Sequence, residues 1–149
     1  MLIRAFTFAT VFLISLSVHA VDGMVNVKSK HSVGQTADRF ENILNDKGMT
    51  VFKRISHSQG ASKVGIELRP TEVIIFGNPK VGSPLMQCAQ SVAIDLPQKA
   101  LIWQDENKVT WISYNDPDYL RQRHAIEGCD EVLAKVSGAL SKLTAAAAR

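Results

Sequence analysis

The hydrophobic positions along the chain follow two periods, and the change from one to the other marks the predicted elements. Apolar and polar residues alternate over residues 24–29, as they do in a half-buried strand. Ser32 and Gln35 then have the spacing of a capping box. After them, apolar residues recur every three or four positions, at Val33, Ala37, Phe40 and Leu44. This pattern predicts an amphipathic helix over residues 33–47 that ends at Gly48.

Two further strands are predicted in the middle of the chain. Residues 49–57 alternate again and place three residues on one face: Val51, Ile55 and His57. A short helical turn over residues 61–64 comes next. Residues 71–76 form an apolar, β-branched run without alternation, which predicts a central strand buried on both faces.

The next part of the chain predicts a short helix and a hairpin. Residues 77–82 are rich in turn-forming residues and predict a loop, after which Ser83-Pro84 predicts the start of a helix over residues 85–91. Two apolar runs, residues 99–104 and 108–114, then predict a β-hairpin.

Helices are predicted to complete the fold. Asp116-Pro117 predicts a helix that reaches about His124. Apolar residues mark one face of a last helix: Cys129, Val132, Leu133, Val136, Leu140 and Leu143. We expect residues 145–149 to be a frayed helix end. The order β-α-β-β-(short α)-β-β-α predicts an α+β fold, with helices on one face of an antiparallel sheet of about five strands.

The first twenty residues have the layout of a cleaved secretory signal peptide. Arg4 supplies a positive charge, residues 5–18 are apolar or small, and Val18-His19-Ala20 fits the requirement for small residues at the cleavage site. The alternative, a retained membrane anchor, would need about 20 apolar residues to span a bilayer. We therefore predict cleavage after Ala20 and a single mature domain, residues 21–149, without a membrane span. Its predicted location is the periplasm or the exterior of the cell.

Composition fits one globular domain with a hydrophobic core. The 149 residues include 17 Lys+Arg, 14 Asp+Glu and 46% hydrophobic residues, and the formal net charge is +3. Removing residues 1–20 leaves 16 Lys+Arg against 14 Asp+Glu, a net charge of +2 over 129 residues. This weak and mixed charge argues against a nucleic-acid partner, and the apolar content argues against a disordered chain.

Cys88 and Cys129 are the two cysteines of the sequence. In an oxidising compartment they could form a disulfide that closes a loop of about 42 residues. Alternatively, both could be small buried side chains, since free cysteine is among the most buried residue types. The sequence leaves both interpretations open.

Several short motifs resemble a known family in identity and spacing. They are Ile55-Ser56-His57, Ala61, Gly65, Leu68, Phe76-Gly77-Asn78-Pro79-Lys80 with Gly82, Asp95-Leu96-Pro97 and Tyr114-Asn115-Asp116-Pro117. Over about residues 25–124 the chain resembles the domain-of-unknown-function family 302. The resemblance implies a compact α+β fold similar to one half of the TATA-binding protein and a tendency to form homodimers. It implies neither DNA binding nor a known reaction.

The chain departs from the pattern of this family at two positions. Family members usually carry Asp before the histidine, where this chain has Ser56. They usually carry an apolar residue after Leu-Pro, where this chain has Gln98. If an Asp-His pair were the functional unit, this protein would lack the carboxylate or take it from elsewhere.

His57 is the leading candidate for chemistry because it ends a predicted strand beside a turn. Its imidazole could act as a general base, or it could hydrogen-bond a loop carbonyl. Asp95 could be its carboxylate partner or a turn cap, and Tyr114 could present its hydroxyl to a pocket or fill the sheet. A small hydrolase or isomerase would require these three residues and Asn78 to meet in one cleft.

Asn78 and Lys80 are candidates for binding a small anionic ligand, together with His57. The loop that contains them leads to a predicted helix start, where backbone N–H groups are unpaired. The alternative is a tight turn without a ligand, which Gly-Asn-Pro also forms well.

A metal or haem carrier is the third function considered. Side chains that could ligate copper or haem occur at five positions: His31, His57, Met86, Cys88 and His124. No two of them have ligand spacing on one predicted element, so the sequence predicts no metal site and names no cofactor.

The function that the sequence favours is therefore an exported, dimeric ligand-binding or interaction module. The alternatives are a small hydrolase or isomerase that uses His57 with Asp95 or Tyr114, and the metal or haem carrier.

Overall fold

The computed structural model describes residues 23–149, so the predicted signal peptide lies outside the described residues. The strands are β1 (Met24–Lys28), β2 (Thr50–Ser56), β3 (Thr71–Gly77), β4 (Gln98–Gln104) and β5 (Thr110–Asn115). The helices are α1 (Val33–Asp46), α2 (His57–Ser62), α3 (Pro79–Cys88), α4 (Pro117–Arg123) and α5 (Asp130–Ala148). A 3-10 turn at Gln90–Ile94 joins α3 to β4.

The strands form one sheet in the order β1-β5-β4-β3-β2, and every neighbouring pair is antiparallel. In the register of the sheet, Ile112 lies opposite Val27 on one side and Ile102 on the other. These three side chains therefore point to the same face, which is the face that the helices cover. The predicted α+β fold is confirmed. The short helical turn predicted over residues 61–64 corresponds to α2, which begins earlier, at His57.

The core lies between the sheet and the long helices α1 and α5. Ile74, Phe76, Ile102 and Ile112 point from the sheet to this side and are fully buried. Phe40 of α1 meets Phe76 edge to face, with the ring centroids 5.2 Å apart. This layer of apolar contacts fixes the helices against the sheet.

Helix α1 begins where the sequence predicts. The Ser32 hydroxyl accepts the N–H of Gln35, and the Gln35 side chain accepts the N–H of Ser32. The helix ends at Asp46, and Gly48 lies beyond it with a positive φ of 67°, a conformation that glycine adopts without strain. The capping-box prediction is confirmed.

Helix α5 is held at its C-terminal end. The Arg39 side chain donates to the carbonyls of Ala146 and Ala147, and the N–H of Lys30 donates to the carbonyl of Ala148. Ala147 and Ala148 are buried. The prediction of a frayed end over residues 145–149 is wrong, because groups distant in sequence satisfy the last carbonyls of the helix.

Helix α5 is also held at its N-terminal end, by a disulfide between Cys88 and Cys129. Cys88 is the last residue of α3, and Cys129 directly precedes α5. The sequence left two interpretations open, and the structure confirms the disulfide. It joins the C-terminus of α3 to the N-terminus of α5.

Strand β2 differs from its predicted pattern. A register shift between Val51 and Lys53 makes Phe52 an extra residue in this strand, a β-bulge. The bulge places Val51 and Ile55 on opposite faces of the sheet, although strict alternation predicts one face. His57 is not a strand residue, because Ser56 caps α2 by accepting the N–H of Gln59, and α2 begins at His57.

Helix α3 begins earlier than predicted. Its first residue is Pro79 rather than Leu85, its N-cap is Asn78, and Pro84 lies inside the helix. The predicted loop over residues 77–82 is therefore largely helical. The physical reason is that Asn78-Pro79 is itself a cap followed by proline at the first helical position, and the chain uses this signal rather than Ser83-Pro84.

The second face of the sheet carries partly exposed apolar side chains. Val73, Ile75 and Leu101 lie on it, with Trp103 and Trp111 beside them. The two indoles are fixed by bonds to Ser113 and Asp105, and the bond from Trp111 is the main reason that the pKa of Asp105 lies below its usual range. The prediction that β3 is buried on both faces is thus wrong for the single chain. The expected homodimer stays a prediction.

No helix between residues 23 and 149 combines the length and the apolar character needed to cross a bilayer.

Replacing both cysteines, Cys88→Ala with Cys129→Ala, should lower the free energy of unfolding. The bond joins residues 41 positions apart, for which the chain-entropy argument gives a loss of about 4 kcal/mol. Urea unfolding of the oxidised wild type and the double variant measures this loss. A reducing agent should bring the wild type close to the variant and leave the variant unchanged. Equal stability of the oxidised wild type and the variant would contradict the structural role of the bond.

Candidate ligand-binding cavity

A cavity of about 570 Å³ opens between helices α3 and α5 at one end of the sheet. Its floor is formed where β3 ends and β4 begins, with Phe76, Gly77 and Gln98. The walls are formed by one face of α3, which includes Leu85, and by one face of α5, which includes Leu140. Its size lies within the range of small-molecule sites in proteins, about 300–1,000 Å³.

The wall of the cavity is almost entirely apolar. Aliphatic side chains and two methionines, Met49 and Met86, supply most of the lining. Among residues 23–149, Lys135 of α5 is the one charged residue that lines the space. Such a site can hold an apolar molecule by excluding water from both surfaces.

The bulge of β2 shapes one side of this cavity. Phe52 is the extra residue of the bulge, lines the cavity and is 52% exposed. Without the register shift, regular alternation would place a different set of β2 side chains beside α3. The bulge therefore places the Phe52 ring beside the cavity.

Asn78 lines the cavity, but its polar groups are occupied by the start of α3. Its side-chain oxygen accepts the N–H of Lys80 at 2.9 Å. Its backbone carbonyl accepts the N–H groups of Val81 and Gly82 at 2.9 and 3.0 Å. Pro79 has no N–H, and the next three N–H groups of α3 all donate to Asn78. None of them is left for an anion. The expected backbone cradle for an anion is not formed, and Lys80 is exposed beside it.

The structure pairs Asp95 with His124 rather than with His57. His124 Nε2 lies 2.6 Å from Asp95 Oδ2, and these side chains are only 6% and 14% exposed. Because an ionised carboxylate can only accept, Nε2 donates, and Nδ1 can accept from the Ser91 hydroxyl at 3.1 Å. Arg123 approaches the same carboxylate at 3.4 Å. The cluster ties the 3-10 turn to the end of α4, and none of its members lines the cavity.

His57 lies at the other end of the sheet from Asn78. It comes directly after Ser56, which pairs with Glu72, whereas Asn78 comes after Gly77 at the far end of β3. Six residue steps of strand separate Glu72 from Asn78, which amounts to about 20 Å. Asp95 lies near the Asn78 end, just before Gln98, which pairs with Phe76. The single cleft that the enzyme hypothesis needs is therefore not formed by these residues.

Tyr114 fills the core instead of offering its hydroxyl to a pocket. It is 6% exposed on the helix-covered face of β5. Burial raises the pKa of its phenol, the negative charge of Asp116 raises it further, and the neighbouring Thr144 of α5 lowers it. Of the two roles that the sequence left open, the structure shows the packing role.

The metal and haem candidates are separated or engaged in other bonds. Cys88 is held in the disulfide, and both ring nitrogens of His124 have hydrogen-bond partners. Within the part of the chain that the structure describes, no three His, Cys, Asp or Glu residues form a group that could hold a metal ion.

Comparison with family models gives a match over residues 25–143, to a family described as a domain of unknown function, DUF302. The chain belongs to the DUF302 family. Its fold also matches the crystal structure of an uncharacterized conserved DUF302 protein from Bacillus stearothermophilus, with a TM-score of 0.77 and 20% sequence identity. The match covers 87% of this chain and 100% of that protein. The resemblance to this family in the sequence is confirmed.

Curated relatives of this DUF302 domain are longer proteins. It is 43% identical over 113 residues to the fluoride-specific ion channel FluC 1 of Brucella suis, a match that covers 76% of this chain and 44% of the channel protein. FluC 1 of Brucella abortus is also 43% identical over 113 residues, with 42% of its length covered. The DUF302 chain thus spans less than half the length of these relatives.

Sequence reasoning missed the cavity and the Asp95–His124 pair of the DUF302 domain. The pair joins residues 29 positions apart on different elements, and no local pattern connects them. The cavity had a weak signal, since Val136, Ala139 and Leu140 continue an apolar face of α5 around a small residue. Periodicity alone interprets such a face as core.

Asp95→Ala should lower the free energy of unfolding by about 1–3 kcal/mol, because it leaves a buried imidazole without its acceptor. Ser91→Ala should change it by less than about 0.5 kcal/mol, since Ser91 is exposed. Urea unfolding at neutral pH measures both values. Equal effects of the two substitutions would contradict the assignment of Asp95 as the structural partner of His124.

Proposed function

We propose that this domain binds a small, largely apolar molecule in the cavity between α3 and α5. The observation that supports this most is an open space of about 570 Å³ whose lining is apolar. Apolar surface on this scale is costly to keep in contact with water, so a matching ligand gains binding energy by covering it.

The side chains around the cavity favour a binding role. Met49 and Met86 line it, and unbranched thioether side chains adapt to ligands of different shape. Phe52 lies at its edge with half of its surface exposed. An aromatic ring in this position can pack on one side of a bound molecule. The one charged lining residue, Lys135, has no acidic partner in the lining with which to perform proton transfer.

The proposal also places the domain outside the cytoplasm, as the export signal in the sequence suggests. The Cys88–Cys129 disulfide supports this location, because structural disulfides persist in oxidising compartments and are rare in the cytosol. A binding domain in that location can take up a ligand from the surroundings of the cell.

The relatives support a second proposal, a role connected with fluoride transport. Two proteins called fluoride-specific ion channels share 43% identity with this chain over 113 residues. The described cavity is apolar, and fluoride, a strongly hydrated anion, would gain little there. We therefore infer that the domain supports fluoride resistance beside a channel and does not itself hold the ion.

Filling the cavity should abolish ligand uptake. Ala139→Trp places an indole at a lining position of α5, whereas Ala134→Trp places the same group at an exposed position of α5 that does not line the cavity. Fluorescence titration with Nile red, a neutral apolar dye, should show binding to the wild type and to Ala134→Trp. Ala139→Trp should weaken binding by at least about tenfold, or about 1.4 kcal/mol. Equal dye binding by all three proteins would place the dye elsewhere and contradict the proposal.

Deleting the gene for this protein should make the source organism more sensitive to sodium fluoride than its parent strain is. The same concentration of sodium chloride should affect both strains equally. Growth curves over a fluoride series measure the effect, and the wild-type gene should restore resistance. Complementation with the Ala139→Trp variant shows whether resistance needs the cavity. Unchanged fluoride tolerance in the deletion strain would rule out this second function and leave ligand binding untouched.

A further inference from the structure

The electrostatics of the cavity are asymmetric. Within the part of the chain that the structure describes, its lining contains one cation, Lys135, and no carboxylate. Lys135 is exposed, so its aliphatic stem can lie against the apolar wall while its ammonium group remains at the opening. A molecule that fills the cavity therefore meets a positive charge at one place on the rim.

The charge of Lys135 is not neutralised by the protein around it. In residues 23–149, no aspartate or glutamate oxygen lies within 4.0 Å of its ammonium group. Glu131 is one helical turn away but forms no ion pair with it. Arg54, by contrast, is surrounded by three carboxylates, those of Asp38, Glu41 and Glu72. An unpaired ammonium at the edge of an apolar site is a natural contact for an anionic group.

The apolar wall extends from Lys135 along α5. Val136, Ala139, Leu140 and Leu143 line the cavity, and the eight helical steps from Lys135 to Leu143 span about 12 Å. If each non-hydrogen atom of a ligand takes about the 30 Å³ of a water molecule, 570 Å³ holds roughly nineteen of them. Length and volume together match a medium-length alkyl chain with a small head group.

We propose that the cavity takes an amphipathic monoanion of the fatty-acid class, with its chain between α3 and α5 and its carboxylate at Lys135. This inference rests on the proposed ligand-binding function and adds the chemistry of the ligand. The selectivity arises because the apolar wall binds acids and neutral analogues alike, whereas Lys135 favours the charged head group.

The test compares dodecanoic acid with dodecanol as competitors of Nile red, at neutral pH and low salt. The proteins are the wild type, Lys135→Met and Lys142→Met. Methionine keeps an unbranched apolar stem and removes the charge, and Lys142 is an exposed lysine of α5 that does not line the cavity. Lys135→Met should weaken the binding of dodecanoic acid by roughly three- to tenfold and change the affinity for dodecanol by less than about twofold. Lys142→Met should resemble the wild type for both ligands.

Salt provides an independent measurement on the unmodified protein. Raising the sodium chloride concentration should weaken the binding of dodecanoic acid and leave that of dodecanol nearly unchanged. Only the acid forms a charge pair with Lys135, and salt screens that attraction. If Lys135→Met and salt affect the acid and the alcohol equally while both ligands bind, the head-group assignment is wrong and the cavity proposal stands. If the acid, the alcohol and Nile red all fail to bind the wild type, the proposed function itself is wrong.

Discussion

The position of α5 over the sheet is the constraint on which the rest of the structure depends. Its N-terminal end is bonded to α3 through Cys129 and Cys88. Its C-terminal end is held by Arg39 of α1 and by the backbone of Lys30. The cavity is lined by α5 residues between Lys135 and Leu143 and by α3 residues between Pro79 and Met86. These bonds hold α5, and through the disulfide α3, in the arrangement that leaves the cavity between the two helices.

Much of the fold could be predicted because its signals are local. The Ser32 and Gln35 spacing starts α1, the two apolar runs around residues 105–107 form the β4–β5 hairpin, and Asp116-Pro117 starts α4. The errors occur where distant groups decide the outcome or where two local signals compete. The end of α5 is ordered by Arg39, more than 100 positions away, and the start of α3 depended on a choice between two cap-plus-proline signals. Local spacing carries no information about the contact of Arg39 with the end of α5, and it allows two starts for α3.

The candidate site was less predictable than the fold. His57 was a candidate because it ends a polar–apolar alternation, but Ser56 is the last residue of the strand and caps α2, so His57 is the first residue of that helix. Asp95 was considered as a partner of His57 or as a turn cap, but its carboxylate pairs with His124, whose position no motif indicated. The cavity is a property of space left between helices, and a sequence specifies such a space only through the packing of many residues at once. The sequence favoured a binding module without locating its site, and the structure supplies a candidate cavity.

The bulge at Phe52 has a further consequence for how copies of this chain meet. Strand β2 is at the edge of the sheet, where unpaired backbone groups could accept a strand from another molecule. An extra residue in the middle of that strand breaks the regular ladder and increases its twist, and Lys53 beside it adds a charge. Open-ended growth of the sheet from molecule to molecule is thereby discouraged at this edge.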